Sequence, residues 1–448
     1  MTRNNLINDK KLLLTLTFPI FLELTLQMLM GSIDQMMLSK YSPLAVAAVG
    51  NANQILNFLI IAFEVLCTAS MILITQYIGA KEDQQVDKIY SLAFIMNIVI
   101  SFLIGIIIFF FSDTFYGWMQ VQSDILPQAR NYITLTGCFL FLQAASLTLA
   151  TFLRSNHYMY QSMIASVIMN VINIFGNLIL INGLGPIPAL GASGAAISTS
   201  ISRFIGVIIM VVLFKKYVGN KIKLKYLKPF PKDILKKLLF IGLPSAGESF
   251  AYSFSQIVIM GFINLMGTLT VNAKIYSSML VLITYIFTMS ISRAAQVLLG
   301  NMLGAKEYDS SQKLVKETII TSMLITLIIS LVLFFGAGPI VSIFTKDQEI
   351  LKICRLVLFI DIFLEQGRAL NICFVRFLQT SGDIKFPTIL GIASTWIVAV
   401  VLSYVFGISM NMGLAGVWIA MTIDEILRGI IFIFRWKTGV WKKINLVG

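Results

Sequence analysis

The sequence predicts an all-α polytopic membrane protein of twelve transmembrane helices, in two six-helix lobes related by a pseudo-two-fold axis along the membrane normal. Three observations predict this fold class: an apolar composition, many long apolar runs, and a second half that repeats the first. Hydrophobic residues make up 57% of the 448 residues and charged residues only 12%, with a mean hydropathy of +0.86. Apolar runs of about 20 residues match the thickness of a bilayer, so a soluble protein is excluded.

The apolar runs divide the chain into predicted spans of about 20 residues or more, enough to cross a bilayer. The twelve spans cover residues 12–38, 46–78, 90–112, 127–153, 159–182, 191–214, 237–265, 271–303, 317–336, 350–379, 386–408 and 413–435. The longest runs exceed the thickness of the hydrocarbon, so we expect them to tilt or to extend past the lipid.

Lysine and arginine concentrate in alternate loops. Because the number of spans is even, both termini lie on the same side, and the basic loops place that side in the cytoplasm. The net charge of +13 therefore indicates topology and an attraction to membrane lipids, and it does not indicate nucleic-acid binding. The polar start of the chain leads into a full span without a small-residue cleavage site, so we expect no removable signal peptide. We expect a multi-pass protein of the bacterial inner (plasma) membrane.

The second half of the chain repeats the first. The motif Gly79-Ala80-Lys81-Glu82 recurs half a chain later as Gly304-Ala305-Lys306-Glu307, and the same separation aligns Glu23 with Glu248. We expect the glycine of each motif to end its helix as a left-handed cap. Because six spans are an even number, both copies enter the membrane from the same side, as in parallel-repeat transporters. The predicted domains are an N-lobe of residues 1–214, a basic linker of residues 215–236, and a C-lobe of residues 237–448.

A polar stripe runs along the first span. Glu23, Gln27 and Asp34 share one face, since eleven residues make about three helical turns. An ionisable side chain in an apolar span costs roughly 2.5–3.5 kcal/mol to insert, so it is a functional hypothesis by default.

The fifth and sixth spans carry matching polar groups. Asn173 and Asn177 lie one turn apart, and the sixth span opens with Ser198 and Thr199. With Asp34 at a similar depth, these side chains would line an oxygen-rich pocket suited to a hard monovalent cation or a proton relay. The alternative is interhelical hydrogen bonding, which polar residues of membrane helices commonly provide.

The second lobe carries a different set of polar residues. Glu248, Tyr252 and Ser255 form its stripe, whereas Asp34 aligns with the apolar Ile259, so the two lobes are not chemically equivalent. Asp361, Glu365 and Arg368 share one face of the tenth span, where they form either a structural ion pair or a coupling element. Asp424, Glu425 and Arg428 can pair within the twelfth span, which favours a structural role.

These residues resemble those of the multidrug and toxic compound extrusion (MATE) family of efflux transporters. The matching positions are Pro19, Gln27, Asp34, Met36, Met37, Ala45 to Gly50, Gln76, Gly79, Ala80, Asn173, Gly191 to Ala196, Pro244, Gly304 and Ala305. The resemblance implies secondary active antiport: export of amphipathic, often cationic compounds in exchange for sodium or protons by alternating access. It implies no cofactor apart from the coupling ion and no metal site beyond sodium, and we expect a monomer.

The resemblance also assigns site residues. It implies a cation site of Asp34, Asn173, Asn177 and a hydroxyl at Ser198 or Thr199, although many relatives have aspartate where this chain has Asn177. It implies a substrate-binding or coupling role for a second set of residues. That set comprises Glu23, Gln27, Glu248, Tyr252, Ser255, Asp361, Glu365 and Arg368. Some relatives carry acids at the positions of Tyr252 and near Arg368, for which Glu248 and Glu365 are the expected substitutes.

Two other classes of function compete with a drug transporter. A lipid-linked oligosaccharide flippase has a similar architecture, but it needs Arg or Lys in its cavity to hold a pyrophosphate, and the stripes here are acidic and amide-rich. A membrane-embedded enzyme needs a nucleophile or a metal cluster in an interfacial loop, and the sequence offers neither. We therefore expect a transporter and not an enzyme.

Overall fold

Twelve long helical elements make up most of the described part of the protein. The computed structural model describes residues 10–184, 186–444 and 446–447, and the elements within them are numbered in chain order. They are α1 (Lys10–Tyr41), α2 (Pro43–Gly79), α3 (Asp83–Trp118), α4 (Leu126–Cys138 and Leu140–Ser155), α5 (Met159–Asn182), α6 (Gly191–Tyr217), α7 (Lys232–Leu265), α8 (Thr268–Gly304), α9 (Tyr308–Phe335), α10 (Gln348–Thr380), α11 (Lys385–Ser409) and α12 (Gly413–Lys437).

Each predicted span coincides with one of these helices, which confirms the all-helical polytopic fold class. Eight of the described helices are long and apolar enough to cross a membrane, and α4, whose two parts meet at a bend of 49°, makes a ninth. Of the other three, α10 and α12 carry charged residues along their length, which lower their hydropathy. In α7, charged residues are confined to the first turns apart from Glu248, and serine, glutamine, asparagine and tyrosine lower the hydropathy of the rest. Several acidic residues of α10 and α12 are buried. Such residues are tolerated in membrane helices that face a bundle interior.

The described chain forms two compact units. One unit is Leu22–Gly242, and the other combines α1 up to Phe21 with the chain from Leu243 onward. The divisions fall inside α1 and α7, each next to an internal proline, Pro19 or Pro244. Proline removes one hydrogen bond of the helix and favours a bend there. The predicted lobe boundaries at residues 214 and 237 flank the linker instead, and they stay a prediction.

In the first unit, small residues let α5 and α6 approach closely. A Cβ atom added at Gly194 would lie 2.3 Å from the backbone oxygen of Leu180, and one added at Gly176 would lie 2.3 Å from Ser198 Oγ. Close backbone approach through small residues is a common means of packing helices in membranes. It holds the polar faces of α5 and α6 against each other.

In the second unit, α10 packs against α12 in the same way. A Cβ atom added at Gly367 would lie 2.8 Å from the backbone nitrogen of Ile426, and one added at Gly429 would lie 3.0 Å from Leu370 Cβ. The buried acidic and basic side chains of α10 and α12 are therefore brought into the same region of the unit.

The repeated Gly-Ala-Lys-Glu motif forms the same turn after α2 and after α8. The expectation that glycine adopts the left-handed conformation is wrong: Lys81 has φ of 63° and Lys306 has φ of 60°. The amide of Glu82 donates to the carbonyl of Tyr77 at 2.9 Å, and this bond places the left-handed residue two positions after the glycine.

Candidate functional site

Asp34 forms a hydrogen bond with a buried amide on a neighbouring helix. The Nδ2 atom of Asn177 on α5 donates to Asp34 Oδ1 at 2.6 Å. Asp34 is partly buried, whereas Asn177 is fully buried. A carboxylate has acceptor sites on both oxygens, so an amide donor on one of them is compatible with binding of a cation or a proton.

The hydrogen bonds continue from Asn177 to α6. Asn177 Nδ2 also lies 3.4 Å from Asn173 Oδ1, and Asn173 Nδ2 lies 3.4 Å from Ser198 Oγ and 3.3 Å from Thr199 Oγ1. The hydroxyl of Ser198 donates back to the carbonyl of Asn173 at 3.0 Å. The structure thus brings together all five residues of the predicted cation site, from α1, α5 and α6.

The donor set of this cluster fits a monovalent cation. Asn177 Oδ1 is buried and accepts no hydrogen bond within the described part of the chain, so one amide oxygen beside the carboxylate is available as a ligand. Carboxylate, amide and hydroxyl oxygens are hard ligands of the kind that sodium prefers. No group of three or more acidic, histidine or cysteine side chains suited to a metal occurs among the described residues. The single carboxylate therefore fits sodium or a proton better than a divalent ion.

Two residues near Asp34 were missed by the sequence reasoning. The positive charge of Arg203 on α6 acts on Asp34, and the hydroxyl of Tyr132 on α4 lies in the same electrostatic environment. Arg203 follows Thr199 by four residues, which places both on one face of α6. That spacing is the signal that could have identified Arg203.

Glu23 lies in a separate polar cluster of the first unit. Its carboxylate is buried, pairs with Arg154 at 3.3 Å, and accepts a hydrogen bond from Ser166 at 2.8 Å. Gln27, predicted beside it on the stripe of α1, is exposed. A carboxylate held by a buried arginine and a hydroxyl has little freedom to exchange partners. This environment favours a structural or positioning role for Glu23 over direct contact with a substrate.

The predicted stripe of α7 is only partly enclosed. Glu248 Oε2 accepts a hydrogen bond from Gln379 Nε2 at 3.4 Å. Tyr252 is 43% exposed, and the buried hydroxyl of Ser255 donates to the carbonyl of Tyr252 at 2.7 Å. The hydroxyl of Ser255 is thus hydrogen-bonded within its own helix, whereas Glu248 is hydrogen-bonded to α10.

The acidic residues of α10 are paired. Glu365 forms a buried ion pair with Arg368, and Asp361 accepts a hydrogen bond from Trp418 Nε1 at 3.1 Å. Of the two interpretations of this set, the structural ion pair is present for Glu365 and Arg368. Asp361 instead joins α10 to α12.

A larger network surrounds Arg428 on α12. Its Nη2 atom lies 2.6 Å from Asp424 and 3.1 Å from Glu425, so the pairing expected within this helix is present. Asn371 donates to Glu425, and Ser394 donates to Asp424. These two bonds extend the network to α10 and α11.

Comparison with known proteins identifies the family. The MatE family model matches residues 19–179 and 244–405, one match in each half of the repeat. Among curated proteins, the uncharacterized transporter YisQ of Bacillus subtilis is 34% identical, over 96% of this chain and 94% of its own. The probable multidrug resistance protein NorM of Thermotoga maritima is 26% identical, over 97% of this chain and 93% of its own.

Solved structures share the fold. A MATE protein crystallised in a bent conformation superposes with a TM-score of 0.90 at 21% identity, covering 99% of both chains. A transporter of the MOP superfamily from Pyrococcus furiosus, described as having a binding pocket of reversed polarity, superposes with a TM-score of 0.88 at 20% identity, covering 98% of both chains. Members of the family are transporters and use no cofactor. The chain belongs to the MATE family of multi-pass membrane transporters.

Proposed function

We propose that this protein is a secondary active multidrug efflux antiporter that exports amphipathic, often cationic compounds in exchange for sodium or protons. The hydrogen-bonded cluster of Asp34, Asn177, Asn173, Ser198 and Thr199 carries the proposal, because it joins one carboxylate to an unused amide oxygen inside the bundle. The names of the NorM relatives support the substrate class.

The proposed cycle couples one cation to one change of access. With the transporter open to the outside, the cation binds Asp34 and stabilises a conformation that releases the exported compound. After reorientation the cation leaves on the inside and another compound binds. Asn177 orients the carboxylate, and the residues of α6 complete the oxygen ligands.

The driving force depends on stoichiometry. One positive charge that moves down 100 mV releases about 2.3 kcal/mol, which supports roughly a fiftyfold gradient of a neutral compound. One-for-one exchange of a monovalent ion against a monovalent drug is electroneutral, so only the concentration gradient of the ion would drive it. Neutral and cationic substrates are therefore expected to respond differently to an imposed membrane potential.

The test is ethidium transport in proteoliposomes with imposed sodium or proton gradients. Asp34→Asn is nearly isosteric and removes the charge, so ion-driven transport is expected to fall to the background of empty vesicles. Asp113→Asn is the matched control, because Asp113 forms a solvent-exposed pair with Arg130 and is expected to leave transport unchanged. Transport by Asp34→Asn at the normal rate, with normal amounts of protein, would refute the proposal.

The partners of the enclosed arginines argue against the flippase alternative. Arg154, Arg368 and Arg428 each pair with a carboxylate. Arg203 interacts with the charge of Asp34, and Arg376 donates to Gln296. Translocation of a labelled lipid-linked sugar in the same vesicles tests this alternative directly.

We also propose a cellular location, an orientation and an oligomeric state for the protein. We place it in the plasma membrane as a monomer with both termini in the cytoplasm, in contact with membrane lipids through its basic loops. Small amphipathic molecules are the proposed substrates, and nucleic acid is not a proposed partner.

A further inference from the structure

An unpaired carboxylate lies in the middle of α2, outside every cluster described above. Glu64 is exposed and forms no hydrogen bond or ion pair with residues 10–184, 186–444 or 446–447. It follows six consecutive apolar residues, Phe58–Phe63, and precedes Val65–Cys67. At 1.5 Å per residue it is about 22 Å from the end of α2 at Gly79 and about 32 Å from the start at Pro43. A hydrocarbon layer about 30 Å thick therefore surrounds this position.

Glu64 belongs to a polar stripe. Gln54, Asn57, Glu64 and Thr68 fall within a sector of about 80° when successive residues are placed 100° apart. Gln54 and Asn57 are exposed and Thr68 is partly exposed, whereas the buried face of α2 is formed by apolar residues such as Phe63. Of the exposed residues in this part of α2, Gln54, Asn57 and Glu64 are polar and Phe58 is apolar, and the partly exposed Ile61 also lies within the sector. The exposed side of α2 therefore carries three polar side chains at a depth where lipid favours apolar ones.

The adjacent helix α3 shows what a lipid-facing surface looks like at this depth. Counted from the turn that joins α2 to α3, Val99 on α3 lies at nearly the same depth as Glu64 on α2. Val99 is 50% exposed, Phe102 is 52% exposed and Leu103 is 55% exposed. All three are apolar, as a surface in contact with lipid should be. The contrast indicates that the stripe of α2 faces water.

We propose that the polar stripe of α2 lines a water-filled path and that Glu64 binds the positive group of an amphipathic organic cation in it. A hard ion such as sodium needs several oxygen ligands to replace its hydration shell, and the nearest amide of the stripe, Asn57, is two turns away. A large organic cation is weakly hydrated and needs only one counter-charge. We therefore assign Glu64 to substrate binding, at a place distinct from the proposed cation site at Asp34. The role of Glu64 in transport rests on the proposed function, whereas its role in binding does not.

The first experiment measures binding and does not require transport. Tetraphenylphosphonium is titrated into purified protein in lipid nanodiscs, for the native chain and for Glu64→Gln, Glu64→Asp and Glu317→Gln. Glu64→Gln is expected to bind about tenfold more weakly, equivalent to about 1.4 kcal/mol, and Glu64→Asp within about threefold of the native chain. Glu317→Gln makes the same chemical change at a carboxylate on α9 that pairs with Lys313, and is expected to leave binding unchanged.

Two results of this experiment would overturn the proposal. One is unchanged binding of the cation by Glu64→Gln. The other is an equal loss for an uncharged amphipathic ligand, which would assign Glu64 to packing. No ion gradient is applied in this binding experiment, so its outcome does not depend on the transport assay of Asp34→Asn. A failure of the antiport proposal therefore remains distinguishable from a failure of this one.

The second experiment tests the water-filled path. In a Cys138→Ser background, which removes the one native cysteine that is exposed among the described residues, Glu64→Cys and Val99→Cys are treated with a charged, membrane-impermeant methanethiosulfonate. The side chain at position 64 is expected to react at least about tenfold faster than the one at position 99, since thiolates form in water and not in lipid. Equal, slow reaction at both positions would overturn the water-filled path.

Discussion

The neutral amide at position 177 determines how much negative charge the proposed cation site contains. Asn177 is fully buried and shares its amide group between Asp34 and Asn173, so the cluster contains one carboxylate where an aspartate would supply a second. The positive charge of Arg203 acts on that same carboxylate. In the proposed cycle, a site with one negative charge and a nearby guanidinium is expected to bind a cation more weakly than a site with two carboxylates, which would favour its release. This is a useful property for a coupling site, which must exchange its ion.

Replacing Asn177 by alanine tests its role at the residue level. Asn177→Ala removes the donor to Asp34 and the unused oxygen, and a hydrogen bond to a charged group contributes about 1.5–3 kcal/mol. The half-saturating concentration of the coupling ion is therefore expected to rise about tenfold or more in vesicle transport. Asn170→Ala, two turns earlier on α5, is the matched control and should change it less than about twofold. An unchanged ion dependence in Asn177→Ala would contradict a ligand or orienting role for Asn177.

At the level of elements, helix packing decides which predicted polar residues meet. The sequence predicted the contact of Arg428 with Asp424 and Glu425, because residues three and four apart on a helix always face one another. The bonds from Asn371 and Ser394 to these acids could not be predicted, since they depend on which face α12 turns toward α10 and α11. The close approach at Gly367 fixes that face.

The network around Arg428 is expected to stabilise the second unit only while its charges are balanced. Arg428→Met leaves Asp424 and Glu425 buried without their counter-charge, which is expected to cost about 3–5 kcal/mol. The melting temperature in detergent should fall sharply, and the triple variant Asp424→Asn, Glu425→Gln, Arg428→Met should recover most of it. Arg435→Met, which breaks a more exposed pair with Asp383, is the control and should have a smaller effect. A small effect of Arg428→Met would show that water reaches the network.

At the level of the whole molecule, the sequence predicted the helices and the repeat well, because both are encoded in long periodic signals. The predicted span 159–182 has the same bounds as α5, and the two family matches begin at equivalent positions of the repeat, residues 19 and 244. The bend of α4 next to Phe139 and the left-handed Lys81 were not predicted. Both are local features of the backbone that hydropathy does not record.

Only part of the candidate site was predicted, because the sequence signal is strong for some of its residues and weak for others. Asp34, Asn173 and Asn177 stand out because polar side chains are rare in apolar spans. Glu64 and Arg203 are equally polar, yet neither lies on the polar stripes recognised in the sequence, and only the exposure of α2 and the orientation of α6 indicate what they face. Predicting such residues requires the rotation of each helix about its axis, which follows from tertiary packing and not from composition.

The orientation in the membrane gives a prediction for the whole molecule. If lysine-rich loops are cytoplasmic, the segment between α6 and α7 lies inside the cell and the segment between α3 and α4 lies outside. Lys228 and Gln122 are exposed in these two segments. In a Cys138→Ser background, Gln122→Cys should react with a membrane-impermeant maleimide in intact cells, whereas Lys228→Cys should react only after permeabilisation. The reverse pattern would place the basic linker outside and would also reverse the side from which Asp34 receives its ion. The proposed direction of coupling therefore depends on this topology, and the labelling pattern tests both.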